Sequence, residues 1–245
     1  MSSPHWLLKR ELPQARLRLY CFNHAGGNAI TWLPWQELLG ADIAVRAVQL
    51  PARGMRLHEA PYLAMPPLLD DLADVIAADA DARPFAFFGH SLGALLAFEL
   101  ARKLHQQDRP LPQRLILSGS AAPWLRAPLR RLHELPDDQL IAALRELGGT
   151  PSAILDEPGL MTMLLPSIRA DFALVANYHY RPAPPLPFPL TILAGRDDPL
   201  AGSAATQAWR EATSAGCSVH WFDGGHFFIH EQQQAVLACL RRSLA

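Results

Sequence analysis

The sequence carries almost no excess charge of either sign. Its 22 Lys and Arg stand against 23 Asp and Glu, a formal net charge of −1. Proteins that hold nucleic acid present a basic face to the phosphates, so this balance argues against nucleic acid as a partner. Cysteine is scarce as well. Cys21, Cys217 and Cys239 are odd in number, widely spaced and without a Cys-x-x-Cys pair, so no disulfide framework is indicated and buried thiols are expected. No uninterrupted apolar run reaches the length of a membrane span, and the N-terminal MSSPHWLLKRELPQARLRLY has no apolar stretch of signal-peptide length. The expectation is a cytoplasmic protein with no membrane partner. Nothing calls for more than a monomer, and no internal repeat or low-complexity tract is present.

What the chain does have is apolar substance. Half of its 245 residues are hydrophobic, enough for one large α/β domain or for a core carrying an insertion. Strand-like runs occur at RLRLYCF (16–22), IAVRAVQL (43–50), PFAFF (84–88), RLILSGS (114–120), LTILAG (190–195) and SVHWF (218–222). Helical patterns fall between them, at 31–39, 67–80, 92–104, 204–215 and 231–244. Within 67–80, Leu68, Leu69, Leu72, Val75 and Ile76 repeat at helical spacing, with Asp70, Asp71 and Asp74 between them. Strand–helix alternation predicts an α/β fold with a mainly parallel sheet covered on both faces.

The alternation stops between residues 121 and 189. That stretch is rich in Pro, Leu and Arg and offers helices at 137–148 and 159–178, the second expected to break near Pro166. The division predicted is a core of residues 1–120 and 190–245, with 121–189 as a helical lid insertion over one end of the sheet.

The sharpest local signal is FAFFGHSLGALLAFELARKL, residues 85–104. An apolar strand runs into a helix through Gly89-His90-Ser91-Leu92-Gly93. Glycines on both sides of a serine weaken any helix cap it could make, but they permit a turn too tight for side chains, with the hydroxyl held at its tip. Ser91 is thus a candidate nucleophile, and the Leu92 N–H beside it a candidate oxyanion donor at a positive helix end.

A serine hydroxyl needs a base. Of ten histidines, His226 alone sits in a glycine-rich loop between the last strand and the last helix. His230 is its one close competitor, placed at the start of that helix. His226, His230 and Glu231 do not make a convincing metal set, because glycines precede His226 and no third ligand has matching spacing; no metal and no cofactor are expected. His90 and His24 read as packing or loop-bracing residues. Asp197 and Asp198 both follow a strand and both could orient the imidazole; analogy with related hydrolases, in which the acid stands in G-x-x-D, favours Asp198. The loop FNHAGGNA (22–29) follows the first expected strand, and Ala25 N–H, beside Gly26 and Gly27, is the second candidate oxyanion donor.

These phrases in this order resemble the type II thioesterases, stand-alone α/β-hydrolases that serve polyketide synthases and nonribosomal peptide synthetases. CFNHAGGNA is similar to that family's oxyanion loop, QLPARG (49–54) to its LPGRG-like stretch and GHSLGALLAFELAR to its elbow. LPDDQLIAALRELGGTP and LLPSIRADFALVANYHYRP resemble its lid, LAGRDDP its acid turn and GGHFF its histidine loop. Two departures stand out: Ala52 replaces a glycine of LPGRG, and Asn23 stands where proline is frequent.

The resemblance implies an α/β-hydrolase fold and a Ser91–His226–Asp198 triad. It implies hydrolysis of acyl or aminoacyl thioesters on the phosphopantetheine arm of acyl or peptidyl carrier proteins, by way of an acyl-enzyme. Residue chemistry alone reaches only a serine acyl hydrolase. A carboxylesterase or lipase acting on free esters remains an alternative, as does a catalytically silent binding module. In WLRAPLRRLHEL (124–135), Arg126, Arg130 and Arg131 form a candidate stripe for an acidic carrier, or an ordinary solvated face.

Overall fold

A computed structural model describes residues 5–126 and 130–245. Seven strands of these residues form one sheet: β1 (Leu7–Lys9), β2 (Leu17–Phe22), β3 (Ile43–Val48), β4 (Phe85–His90), β5 (Arg114–Ser118), β6 (Leu190–Gly195) and β7 (Cys217–Phe222), in the order β1-β3-β2-β4-β5-β6-β7. All neighbours are parallel except β1 on β3, whose register pairs Leu7 with Val48. The helices are α1 (Pro34–Leu39), α2 (Met65–Asp79), α3 (Leu92–Gln106), α4 (Asp137–Leu147), α5 (Ser152–Leu155), α6 (Pro158–Ala176), α7 (Ser203–Gln207), α8 (Phe228–Glu231) and α9 (Gln233–Leu244).

Alternating side chains of the central strands feed two cores, as a doubly covered parallel sheet requires. From β2, Tyr20 and Phe22 face the α2–α3 side with Leu68, Leu72 and Leu96. Leu17, Leu19 and Cys21 face the opposite side with Trp32, Trp35, Val236 and Leu240. Cys21 and Cys239 are buried, whereas Cys217 is half-buried because β7 is an edge strand.

Three local expectations change. The three-residue β1 was not anticipated; it is too short to show a pattern, and it exists because β3 offers an edge and Trp6 finds a buried site. The helix expected over 204–215 ends at Gln207 and continues as a 3-10 turn, Ala208–Ala212. Thr213 then turns extended and bridges Leu186, its hydroxyl donating toward the Leu186 and Phe188 carbonyls.

The third change concerns Pro166, which does not break its helix: α6 runs unbroken through it. Packing outweighs the lost backbone hydrogen bond. Met161, Leu165 and Ile168 pack with Leu140, Leu144 and Leu155 in a separate small core, while Leu174 reaches the main one. By length and composition α6 is also apolar enough to span a membrane, with mean hydropathy 1.4, although Thr162, Ser167, Arg169 and Asp171 interrupt its apolar residues. Among the described residues, 121–189 add no strand to the sheet; α4, α5 and α6 lie in this connection between β5 and β6.

Candidate active site

The turn between β4 and α3 is built by close approach. A Cβ on Gly89 would overlap the Gly93 carbonyl, and a Cβ on Gly93 would overlap the Phe22 carbonyl. Only glycine permits this contact between strand end and helix start. Ser91 sits between them at φ 57° and ψ −114°, a conformation that costs a residue with a side chain on the order of 1–3 kcal/mol. Its N–H donates to the Ser118 carbonyl at 2.8 Å. Such strain persists where the surrounding fold over-determines it.

His226 lies in the loop between β7 and α8, where Gly195 allows the Gly224–Gly225 backbone to come close. Its Nδ1 is 2.8 Å from Asp198 Oδ2. A carboxylate can only accept, so the ring proton is on Nδ1 and Nε2 is left as the basic atom. The other oxygen, Asp198 Oδ1, accepts the Leu200 N–H at 2.8 Å. The Asp198 side chain is 0% exposed, whereas Asp197 faces solvent. Ser91 and His226 line one chamber of about 480 Å³, together with Ala25, Phe172, Val175 and Arg126. Among the described residues no hydrogen bond joins the Ser91 hydroxyl to the His226 ring, and apo sites often tighten only with substrate.

Phe227 organises the imidazoles. Its ring meets those of His24 (4.9 Å), His226 (5.0 Å) and His90 (5.5 Å), and stacks on His230 at 6.0 Å. His230 belongs to α8, and burial lowers its pKa. His90 is buried, its Nδ1 3.0 Å from the Ser118 hydroxyl, and burial pushes its pKa well down. Burial likewise lowers His24 to about 4; its Nδ1–H donates to the Ala25 carbonyl at 2.9 Å. Of these four rings, His226 is the one hydrogen-bonded to a carboxylate among the described residues. Among the described residues, no three His, Cys, Asp or Glu side chains converge as metal ligands would.

The 24–27 turn places Ala25 on the chamber wall with Ser91. Neither the Ala25 N–H nor the Leu92 N–H donates to an acceptor among the described residues. Two residues that the sequence reading did not single out hold this turn. Asp171 of α6 accepts from Gly26 N–H at 2.7 Å and from both Arg53 guanidinium nitrogens at 2.6 and 2.7 Å. A signal was present: Asp171 lies three residues from both Ile168 and Leu174, an acid on the apolar face of its helix.

The three arginines expected as a stripe do not form a row. Residues 127–129 lie outside the described residues. Arg126 is half-buried on the chamber wall, where burial depresses its pKa; Arg130 is exposed and also lines the chamber; Arg131 pairs with Glu134 at 2.7 Å.

Residues 17–244 match the thioesterase domain family. Linear gramicidin dehydrogenase LgrE of Brevibacillus parabrevis is 39% identical over all of this chain and 94% of its own length. Thioesterase PikA5 of Streptomyces venezuelae is 37% identical, over 91% of this chain and 79% of its own. The structure of the type II thioesterase BorB from the borrelidin biosynthetic cluster superposes with TM-score 0.91 at 36% identity, covering 100% of both chains.

Proposed function

The chain belongs to the thioesterase domain family, and we propose that it hydrolyses acyl or aminoacyl thioesters from the phosphopantetheine arm of carrier proteins in polyketide or nonribosomal peptide biosynthesis, clearing misprimed carriers. Membership makes it a thioester hydrolase. Support for the carrier-bound substrate comes from the likeness to YbtT, a type II thioesterase from the yersiniabactin NRPS/PKS biosynthetic pathway.

In this reading Ser91 Oγ attacks the thioester carbonyl while His226 Nε2 takes its proton. Asp198, hydrogen-bonded to Nδ1, fixes the tautomer and stabilises the imidazolium. The tetrahedral oxyanion is held by the Ala25 and Leu92 N–H groups, aided by the positive end of α3. Collapse expels the pantetheine thiolate, which leaves as thiol with the proton from His226. Water, deprotonated by the same nitrogen, then attacks the acyl-serine; the acyl–Oγ bond breaks, His226 returns the proton to Ser91 Oγ, and the acid departs.

The observation that carries the mechanism is the buried Asp198–His226 pair opening on the same chamber as a strained Ser91. The relative named a dehydrogenase does not redirect it, because this sequence contains no G-x-G-x-x-G run for a dinucleotide. Carrier docking falls to Arg130 at the chamber mouth, since Arg126 is half-buried and Arg131 is paired.

The test compares acyl-carrier thioesters with oxygen esters of the same acyl length, in the wild type and in Ser91→Ala. The reading expects thioester preference and a loss on the order of 10³-fold or more in the variant. Equal or better hydrolysis of free esters would make the protein a carboxylesterase. Residual turnover within tenfold of wild type would remove Ser91 from the mechanism.

A further inference from the structure

The Arg53–Asp171 pair spans 118 residues of sequence and is almost completely buried, with side chains 5% and 2% exposed. A buried ion pair is a poor source of stability, because desolvating both charges offsets their attraction. Its value lies in what it orients. Here every partner belongs to two loops. Asp171 Oδ2 takes the Gly26 N–H, Arg53 Nη1 also donates to the Gly27 carbonyl at 3.1 Å, and Arg53 Nε donates to the Pro51 carbonyl at 3.2 Å.

Apolar contact adds to this polar fastening. Gly26 has φ 75°, and a Cβ placed on it would lie 3.0 Å from Ile168 Cγ1, one helical turn before Asp171. The same helix lines the chamber through Phe172 and Val175. One face of α6 therefore touches both the space for the acyl group and the turn that carries Ala25.

We propose that Arg53 and Asp171 are positioning residues for hydrolysis, fixing the 24–27 turn so that the Ala25 N–H meets the developing oxyanion only while α6 is docked. The inference rests on the serine mechanism with Ala25 as donor. Asp171 supplies a fixed acceptor to Gly26 N–H, and Arg53 ties the Gly27 carbonyl to the same carboxylate. The 25–26 and 27–28 peptide groups are thereby pinned, and the Gly27 N–H, which donates to the His24 carbonyl at 3.0 Å, extends that order to the peptide that carries the Ala25 N–H. Undocking α6 would release all of these bonds together.

The experiment uses two double variants that leave no lone buried charge. R53M/D171N keeps a side-chain oxygen for Gly26 N–H; R53M/D171L keeps none. Each is compared with wild type for kcat, KM, thermal midpoint, and binding of two acyl-pantetheine analogues. One is a trifluoromethyl ketone, which Ser91 converts into an oxyanion-bearing adduct; the other is a thioether lacking the carbonyl. Inhibition of wild type by the ketone and its loss in Ser91→Ala check the underlying mechanism separately.

With that established, the Leu double variant should bind the ketone at least tenfold more weakly than the Asn double variant, and kcat should fall in parallel. KM and thioether affinity should stay within about twofold. Ketone affinities that do not differ between the two, or losses of ketone and thioether binding in equal measure, would overturn the proposal. Should either double variant fail to fold, Arg53→Lys decides, because it keeps the charge but loses the two-pronged grip. A lowered kcat at unchanged KM supports the assignment, and wild-type ketone affinity in Arg53→Lys overturns it.

Discussion

Asp198 and His226 stand on either side of β7 in the sequence and meet at 2.8 Å with the carboxylate wholly out of solvent. Asp198→Asn should lower kcat on the order of 10³-fold, because an amide facing Nδ1 favours the wrong tautomer and cannot stabilise imidazolium. Asp197→Asn, on an exposed side chain, should stay within about threefold. Steady-state turnover of the two variants checks this, and the reverse pattern would move the acid to Asp197.

Ala52 holds φ 61° in the loop that delivers Arg53. Left-handed backbone costs a side-chain residue about 1–2 kcal/mol, while glycine gains back about as much freedom in the unfolded chain. Ala52→Gly is therefore expected to shift stability by less than about 1 kcal/mol. Ala52→Val, β-branched and buried, should lose more than about 2 kcal/mol. Urea titrations of both variants measure the difference, and a well-tolerated valine would contradict the strained geometry.

Burial lowers His24 to about 4 from an ordinary value of 6.5. Between those values the unfolded chain takes up a proton that the folded protein refuses. Stability should thus be complete above about pH 6.5 and decline as pH falls toward 4. His90, lowered for the same reason, adds to the slope. His24→Gln should flatten the dependence over this window, measured as unfolding free energy at several pH values; an unchanged slope would exclude His24 as a contributor.

Arg126 places a half-buried guanidinium on the chamber wall. An apolar acyl chain lying against it forces partial desolvation of the cation, whereas a polar or anionic acyl terminus does not. Arg126→Met should raise kcat/KM for medium-length apolar acyl thioesters several-fold and lower it for carboxylate-terminated ones of equal length. A uniform change across the series would show that the residue does not sense the acyl group.

The elbow was legible because its glycines are forced by contacts within a few residues and across one strand. The same holds for His226, whose glycine loop lies beside Gly195. The sheet's parallel core was visible in strands so apolar that both faces had to be covered. What sequence could not show were effects whose two halves lie far apart. Arg53 and Asp171 become partners only when α6 folds back on the 24–27 turn. Pro166 reads as a break until the apolar contacts on either side of it are known, and β1 has no pattern apart from the β3 edge that receives it.

The hydrophobicity of α6 has a consequence for the chain before it folds. A 19-residue helix of mean hydropathy 1.4 is, by length and composition, apolar enough to cross a membrane. Its two ionic residues, Arg169 and Asp171, oppose that outcome, each costing about 3 kcal/mol near the centre of a bilayer. The charge of Asp171 thus weighs against hydrocarbon as a home for this helix, and in the folded protein the same carboxylate is matched by Arg53 inside protein.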